Sequence, residues 1–228
     1  MRVREMDAQF IDNFRRALGD NLLLIAAYGR DDAQYLIVTE KLDFNSLHSV
    51  QNLVREFNEK TGKFPLFLTR EELRDGLDVF PLEFLNMKLN HEILWGDDLL
   101  SSLKFDKKYV RRELEFEFRS KLINLRQGYL EVAKSRENLM ILVKKSVPTL
   151  MPICNGLLFL KDIEVPKSTA DIFEAVSVGY DADSDILKRI YETDIEKLSE
   201  ADIKEYIGGL MILLSDLGGK LDEMRIWG

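Results

Sequence analysis

The chain has 228 residues with 32 basic and 40 acidic side chains, a net charge of −8, and 46 % hydrophobic residues. That apolar content builds one large core or two modest ones, and so acidic a whole disfavours non-specific binding to nucleic acid or an anionic membrane. A single cysteine, Cys154, excludes an intrachain disulfide and a cysteine zinc cluster.

Met1 to Asp7 begin a charged amphipathic stretch without a signal peptide's apolar core. Met6, Phe10, Phe14 and Leu18 share one face of a helix predicted over 3–18, and Gly19 ends it. Leu22 to Tyr28 is almost wholly apolar and reads as a buried strand. Gly29 to Asp32 make a turn, and Tyr35 to Thr39 a second strand. Phe44 to Phe57 reads as a helix with Leu47, Val50, Leu53, Val54 and Phe57 inward, ended by Thr61-Gly62. Phe64 to Leu68 is a third strand, and Thr69-x-x-Glu72 has the form of a capping box that starts a short helix. Leu85, Met87 and Leu89 alternate with Asn86, Lys88 and Asn90, as in a half-buried strand, and Ile93 to Trp95 form the next one. Alternating strands and helices of this kind predict a small mixed sheet covered by helices.

The period changes after Asp106. Val110, Leu114, Phe118, Leu122, Leu125 and Tyr129 mark one face of a long helix, and Phe116 also reads as core. A second helical run over 136–160 is kinked or split by Pro148 and Pro152, and Cys154 packs in its apolar part. Ser168-x-x-Asp171 and Ser199-x-x-Asp202 are helix starts. Four or five helices with short links predict a bundle. The expected fold is therefore α/β (α+β) over 1–103 and all-α over 104–228. With no apolar run near the roughly 20 residues that span a bilayer, a cytoplasmic location without a membrane partner is expected.

The order helix, strand, Gly-turn, acidic strand, helix, strand, then a helical bundle, resembles the DNA polymerase beta-like nucleotidyltransferase superfamily. In that superfamily a Gly-Ser turn follows the first strand, an Asp-x-Asp strand comes next, and a third carboxylate lies on another strand. Here Ala27-Tyr28-Gly29-Arg30 stands at the turn and Asp32-Ala33-Gln34 at the acidic strand. Leu77-Asp78-Val79-Phe80-Pro81-Leu82-Glu83-Phe84-Leu85-Asn86-Met87 and Leu94-Trp95-Gly96-Asp97-Asp98-Leu99-Leu100 resemble a bacterial and archaeal branch of it, as does Arg111 to Leu122. The resemblance covers residues 1 to about 135.

The resemblance implies phosphoryl-type transfer with Mg2+, since hard cations bridging nucleotide phosphates need several clustered oxygen ligands. It puts Asp32 at the first carboxylate, with Asp31 or Glu83 as further catalytic acids and Asp32 and Glu83 as metal ligands. Gly29 and Arg30 would cradle a nucleoside triphosphate. The second and third carboxylate positions fall on Gln34 and Asn86, which keep an oxygen but lose the charge. The implied protein is a nucleotidyltransferase-like module weakened or inactive in catalysis, binding a nucleotide or a partner. The alternatives are an active Mg-dependent enzyme moving a nucleoside monophosphate onto a small molecule or protein, and a structural helical protein.

Charge is segregated: residues 106–145 carry 11 basic and 6 acidic side chains, while 1–105 carry 13 and 18 and 146–228 carry 8 and 16. On the basic helix Arg112 and Arg119, seven apart on one face, are the candidates for contacting phosphate. The competing reading is a solvated face cross-linked by Glu113, Glu115, Glu117 and Glu131. Asp181-x-Asp183-x-Asp185 with Glu192 imitates a calcium loop, but Ile186 stands where such a loop needs glycine, so an acidic helix start is the reading. His48 and His91 lie in different elements and read as surface residues, and Trp95 and Trp227 as packing. Gly208-Gly209 and Gly218-Gly219 loosen the last helix or admit close helix contacts. A homodimer through the helical half is the expected partnership; nucleic acid is not expected.

Overall fold

The computed structural model describes residues 8–30, 32–132, 135–146, 150–183 and 185–224. The chain divides into two compact units, Met1–Phe105 and Asp106–Gly228.

In the first unit, α1 (Ala8–Leu18) buries Phe10, Phe14 and Leu18, the four-residue spacing of one helix face; Met6 lies outside the described residues. A 310 turn leads into β1 (Leu22–Tyr28), and β2 (Gln34–Thr39) returns antiparallel to it, with Ile25 opposite Ile37. The Asp43 side chain caps α2 (Phe44–Thr61) by accepting from the Ser46 amide at 2.8 Å, and Gly62 ends the helix in the left-handed region. Val50 and Phe57 of α2 are buried, but Leu47, expected inward, is exposed and lines an open groove with Phe44 and Phe64.

α2 is a crossover: β3 (Leu66–Thr69) pairs parallel with β2. The Thr69/Glu72 capping box then starts α3 (Arg70–Asp75). β4 (His91–Gly96) pairs antiparallel with β1, and the strand order β3-β2-β1-β4 makes a mixed four-stranded sheet. Ile25, Ala27, Tyr35 and Ile37 face the core that holds Phe10, Phe14, Val50 and Phe57. Leu24, Ala26, Leu36 and Val38 face a second core with Leu73, Phe84, Met87, Leu100 and Leu103. Both faces are covered, which is why Leu22 to Tyr28 reads as a continuous apolar run.

The alternation over 85–90 misleads. Pro81–Leu89 is a helix, α4, with Pro81 at its first turn, where a missing N–H costs nothing. Leu82, Phe84, Leu85 and Met87 are buried, and Lys88 bends back to donate to the Leu103 carbonyl at 2.7 Å.

The second unit has six α-helices among the described residues, more than the four or five expected. They are α5 (Lys107–Val132), α6 (Arg136–Ser146), α7 (Leu150–Leu160), α8 (Thr169–Tyr180), α9 (Asp185–Glu192) and α10 (Glu200–Glu223). The run over 136–160 is divided into α6 and α7. Pro148 lies outside the described residues, while Pro152 sits in the first turn of α7, where proline is tolerated. Ser168 and Ser199 cap α8 and α10 as their spacing predicts, Ser199 in a full capping box.

On α5, Val110, Leu114, Phe118 and Leu125 are buried, Leu122 and Tyr129 half-buried, and Phe116 is 67 % exposed. Phe116 is two residues from Phe118 and so about 200° round the helix from it, which corrects its reading as core. Cys154 is buried in α7, where loss of water pushes its thiol up to about 12, away from the reactive thiolate. Among the described residues no helix is long and apolar enough to cross a membrane.

Candidate functional site

β1 ends where its antiparallel neighbours β2 and β4 begin, and β3, parallel to β2, begins there too. One end of the sheet therefore gathers Tyr28, Gly29, Asp32, Gln34, Lys63, Asn90 and His91. Tyr28 is the centre of this row, paired with Gln34 on one side and His91 on the other.

Gly29 adopts φ +98°, and a Cβ there would meet the Asp32 carbonyl oxygen at 2.9 Å, so the turn requires glycine. Its amide donates to the Asn90 carbonyl at 2.8 Å, tying the β1–β2 turn to the α4–β4 turn. That bond already employs the N–H a phosphate cradle would offer. Arg30, beside it, is half-buried. Asp31 lies outside the described residues.

Asp32 is held from both sides. Its Oδ1 is 2.6 Å from the Lys63 ammonium, and its Oδ2 accepts from the Gln34 amide at 2.9 Å. Lys63 also donates to the Ala33 carbonyl at 2.6 Å, and its side chain is only 17 % exposed against 74 % for Asp32. The Gln34 amide points its nitrogen at the carboxylate because its oxygen there would meet another acceptor. Sequence reasoning missed Lys63. A signal was present: a residue just before β3 lies beside a residue just before β2 whenever the two strands run parallel.

Glu83 and Asn86 are both on α4, not on a strand, which corrects the expected placing of the third position. The strand beside β1 is β4, whose first residue is His91. Asn86 interacts with Asn90, whose amide donates to the Asn86 carbonyl at 3.3 Å and side-chain oxygen at 3.4 Å. Glu83 retains exposed surface, yet the atoms crowding its carboxyl remove water and raise its pKa above the ordinary value. Burial first, and the charge of Glu83 second, also raise the pKa of Tyr28. Among the described residues no three His, Cys, Asp or Glu side chains group so as to hold a metal ion.

His91 is not the surface residue expected; its side chain is 11 % exposed. Nδ1 lies 3.2 Å from the Met87 carbonyl and 3.0 Å from that of Lys88. Nε2 lies 3.2 Å from Asp98 Oδ1. Desolvation opposes ionisation of Asp98, but hydrogen bonds from Ser101 and then His91 outweigh it and lower its pKa. The ring is thus a tether joining β4, α4 and the 98–101 turn. His48 is exposed and stacks on Phe44 at 6.1 Å.

In the second unit the basic helix is laced as its acid spacing allows. Arg111 pairs with Glu115 at 2.8 Å, Lys121 with Glu117 at 2.9 Å and Lys107 with Asp162 at 2.5 Å. Of the two phosphate candidates, Arg119 lies 3.2 Å from Asp222 and Arg112 lies over the Tyr109 ring at 5.2 Å. The calcium-loop imitation is a helix junction: Asp181 ends α8 in the left-handed region, and Asp183 accepts from the Asp185 amide at the start of α9. Trp95 is half-buried with the Arg15 guanidinium over its ring at 5.4 Å, and Trp227 lies outside the described residues. Compared with known protein families and with curated protein sequences, the chain matches none.

Proposed function

We propose that the first unit is a nucleotidyltransferase-like frame that does not perform metal-dependent transfer and works as a binding module. The observation that carries this reading is the Lys63 ammonium 2.6 Å from Asp32 Oδ1. Transfer with Mg2+ needs several anionic oxygens converging on hard cations. Here Asp32, at the first carboxylate position, is neutralised by a side chain of the same unit. Its other oxygen faces the N–H2 of Gln34, a donor where a metal would need a further ligand. Asn86 brings no charge and lies on α4. These residues do not fit Mg2+, and no catalytic step is assigned to Asp32, Glu83 or Gly29.

A binding role is further supported by Phe44, Leu47 and Phe64, which line one groove of about 560 Å3 beside the edge strand β3. Phe44 and Phe64 are largely exposed. Clustered large apolar side chains in water commonly mark a contact surface.

The test is incubation of the full chain with Mg2+ and each nucleoside triphosphate labelled at the γ-phosphate, so that released pyrophosphate carries the label. The expected result is no pyrophosphate release above a protein-free blank. Release that disappears in Asp32→Asn would contradict the proposal. Parallel melting with ATP but no metal separates the kinds of binding, because a ligand that binds the folded state raises the melting temperature.

A further inference from the structure

α5 and α10 lie side by side and antiparallel in the second unit. Arg119 reaches Asp222, Arg111 donates to the Met224 carbonyl, and the Phe118 side chain lies 3.7 Å from the Cβ position of Gly218. Stepping along each helix from the Phe118–Gly218 level sets Ile123 level with Leu213 and Leu130 level with Tyr206.

Their outward faces are unlike each other. That of α5 carries Arg112, Phe116, Arg119, Ile123, Arg126 and Leu130, all exposed, with cations and bulky apolar groups and no acid. Phe116, Ile123 and Leu130 are 67 %, 62 % and 76 % exposed, one every seven residues. Seven residues are close to two turns, so the three form one stripe opposite the buried face. The outward face of α10 carries Glu205, Ser215, Asp216, Gly219, Asp222 and Glu223, also exposed, so acids and small residues dominate it; the flanking half-buried Lys204 and Lys220 pair with Glu200 and Asp216 on the same helix. A Cβ added at Gly208 or Gly219 would meet nothing within 4 Å, so both leave hollows on that face. Ile212, 72 % exposed, is its one large apolar residue.

We propose that this two-helix face is a homodimer interface, with a second copy of the chain as the occupant. A twofold axis parallel to the helices lays α5 of each copy on α10 of the other, with equal heights facing. Phe116 then enters the hollow at Gly219, Ile123 packs against Ile212 and Ser215, and Leu130 meets Gly208. Arg112 approaches Glu223, and Arg119 approaches Asp216 while keeping Asp222. Each copy supplies both the cationic and the acidic helix, so the contact is isologous and closes on itself.

The area is adequate for a modest dimer. The matched stretches are about 27 Å long at 1.5 Å per residue, and two helices about 10 Å apart are about 20 Å wide. The footprint of about 540 Å2 per copy is at the lower end of specific interfaces.

Sedimentation of the full chain at rising concentration tests this. A mass approaching twice 26.5 kDa, with dissociation on dilution and in high salt, is expected. Ile123→Asp is expected to leave a monomer with unchanged helical circular dichroism. Arg112→Glu and Glu223→Arg are each expected to weaken self-association at least tenfold, since each homodimer then holds two like-charge contacts. Mixing the two restores both contacts in a heterodimer. A wild type that stays monomeric at every concentration overturns the proposal, as does a dimer indifferent to Ile123→Asp or a mixture that fails to associate.

Discussion

Asp32, Gln34 and Gly29 were legible as members of one site because motif and turn chemistry are local. Lys63 was not, because its partner is 31 positions away and the meeting depends on β3 running parallel to β2. His91 was hidden for a similar reason: its three oxygen partners come from the end of α4 and the 98–101 turn. Glu83 provides a check on the local electrostatics. Its pKa in the folded chain is raised by desolvation, above the unfolded value. The folded state therefore holds that proton more tightly, and this contribution to stability is full below the ordinary carboxyl range and lost as pH rises through the raised value. Glu83→Gln is expected to unfold at higher urea than wild type at pH 7, with the gap narrowing towards pH 4. A gap that widens on acidification would contradict the assignment.

Among elements, helix starts were the most legible part of the fold. Thr69, Ser168 and Ser199 each accept from the amide three residues on, as their sequence spacing implies. α4 was read as a strand because Asn86 and Lys88 punctuate an apolar run, though Pro81 is a helix-start signal. Gly96 shows how tightly β4 is fitted. At φ +88°, a Cβ would lie 2.1 Å from the Leu23 carbonyl oxygen, which neither strand can relieve without losing its register. Gly96→Ala is expected to destabilise by about 3 kcal/mol or more, combining left-handed strain with a backbone clash. Equilibrium urea denaturation measures it, and a loss under about 1 kcal/mol would show that the β1–β4 contact yields more easily than this packing implies.

For the whole molecule, the order of periodicities distinguished a small mixed sheet from the helices that follow, with one strand too many. It could not say which helix faces were covered. Leu47, at core-like spacing with Val50, Val54 and Phe57, is 44 % exposed, and only the packing of α2 against its neighbours decides that. Charge segregation and the i,i+4 pairs of α5 were legible, whereas pairs between elements, such as Lys107 with Asp162, required coordinates. The proposed function has Lys63 occupying the place of a metal in a nucleotidyltransferase-like frame. Titrating Mn2+ into the full chain, with free ion followed by electron paramagnetic resonance, tests it most directly. The expected result is no stoichiometric binding by wild type, and binding gained in Lys63→Gln combined with Gln34→Asp. Stoichiometric Mn2+ on the wild type, lost in Asp32→Asn, would contradict it.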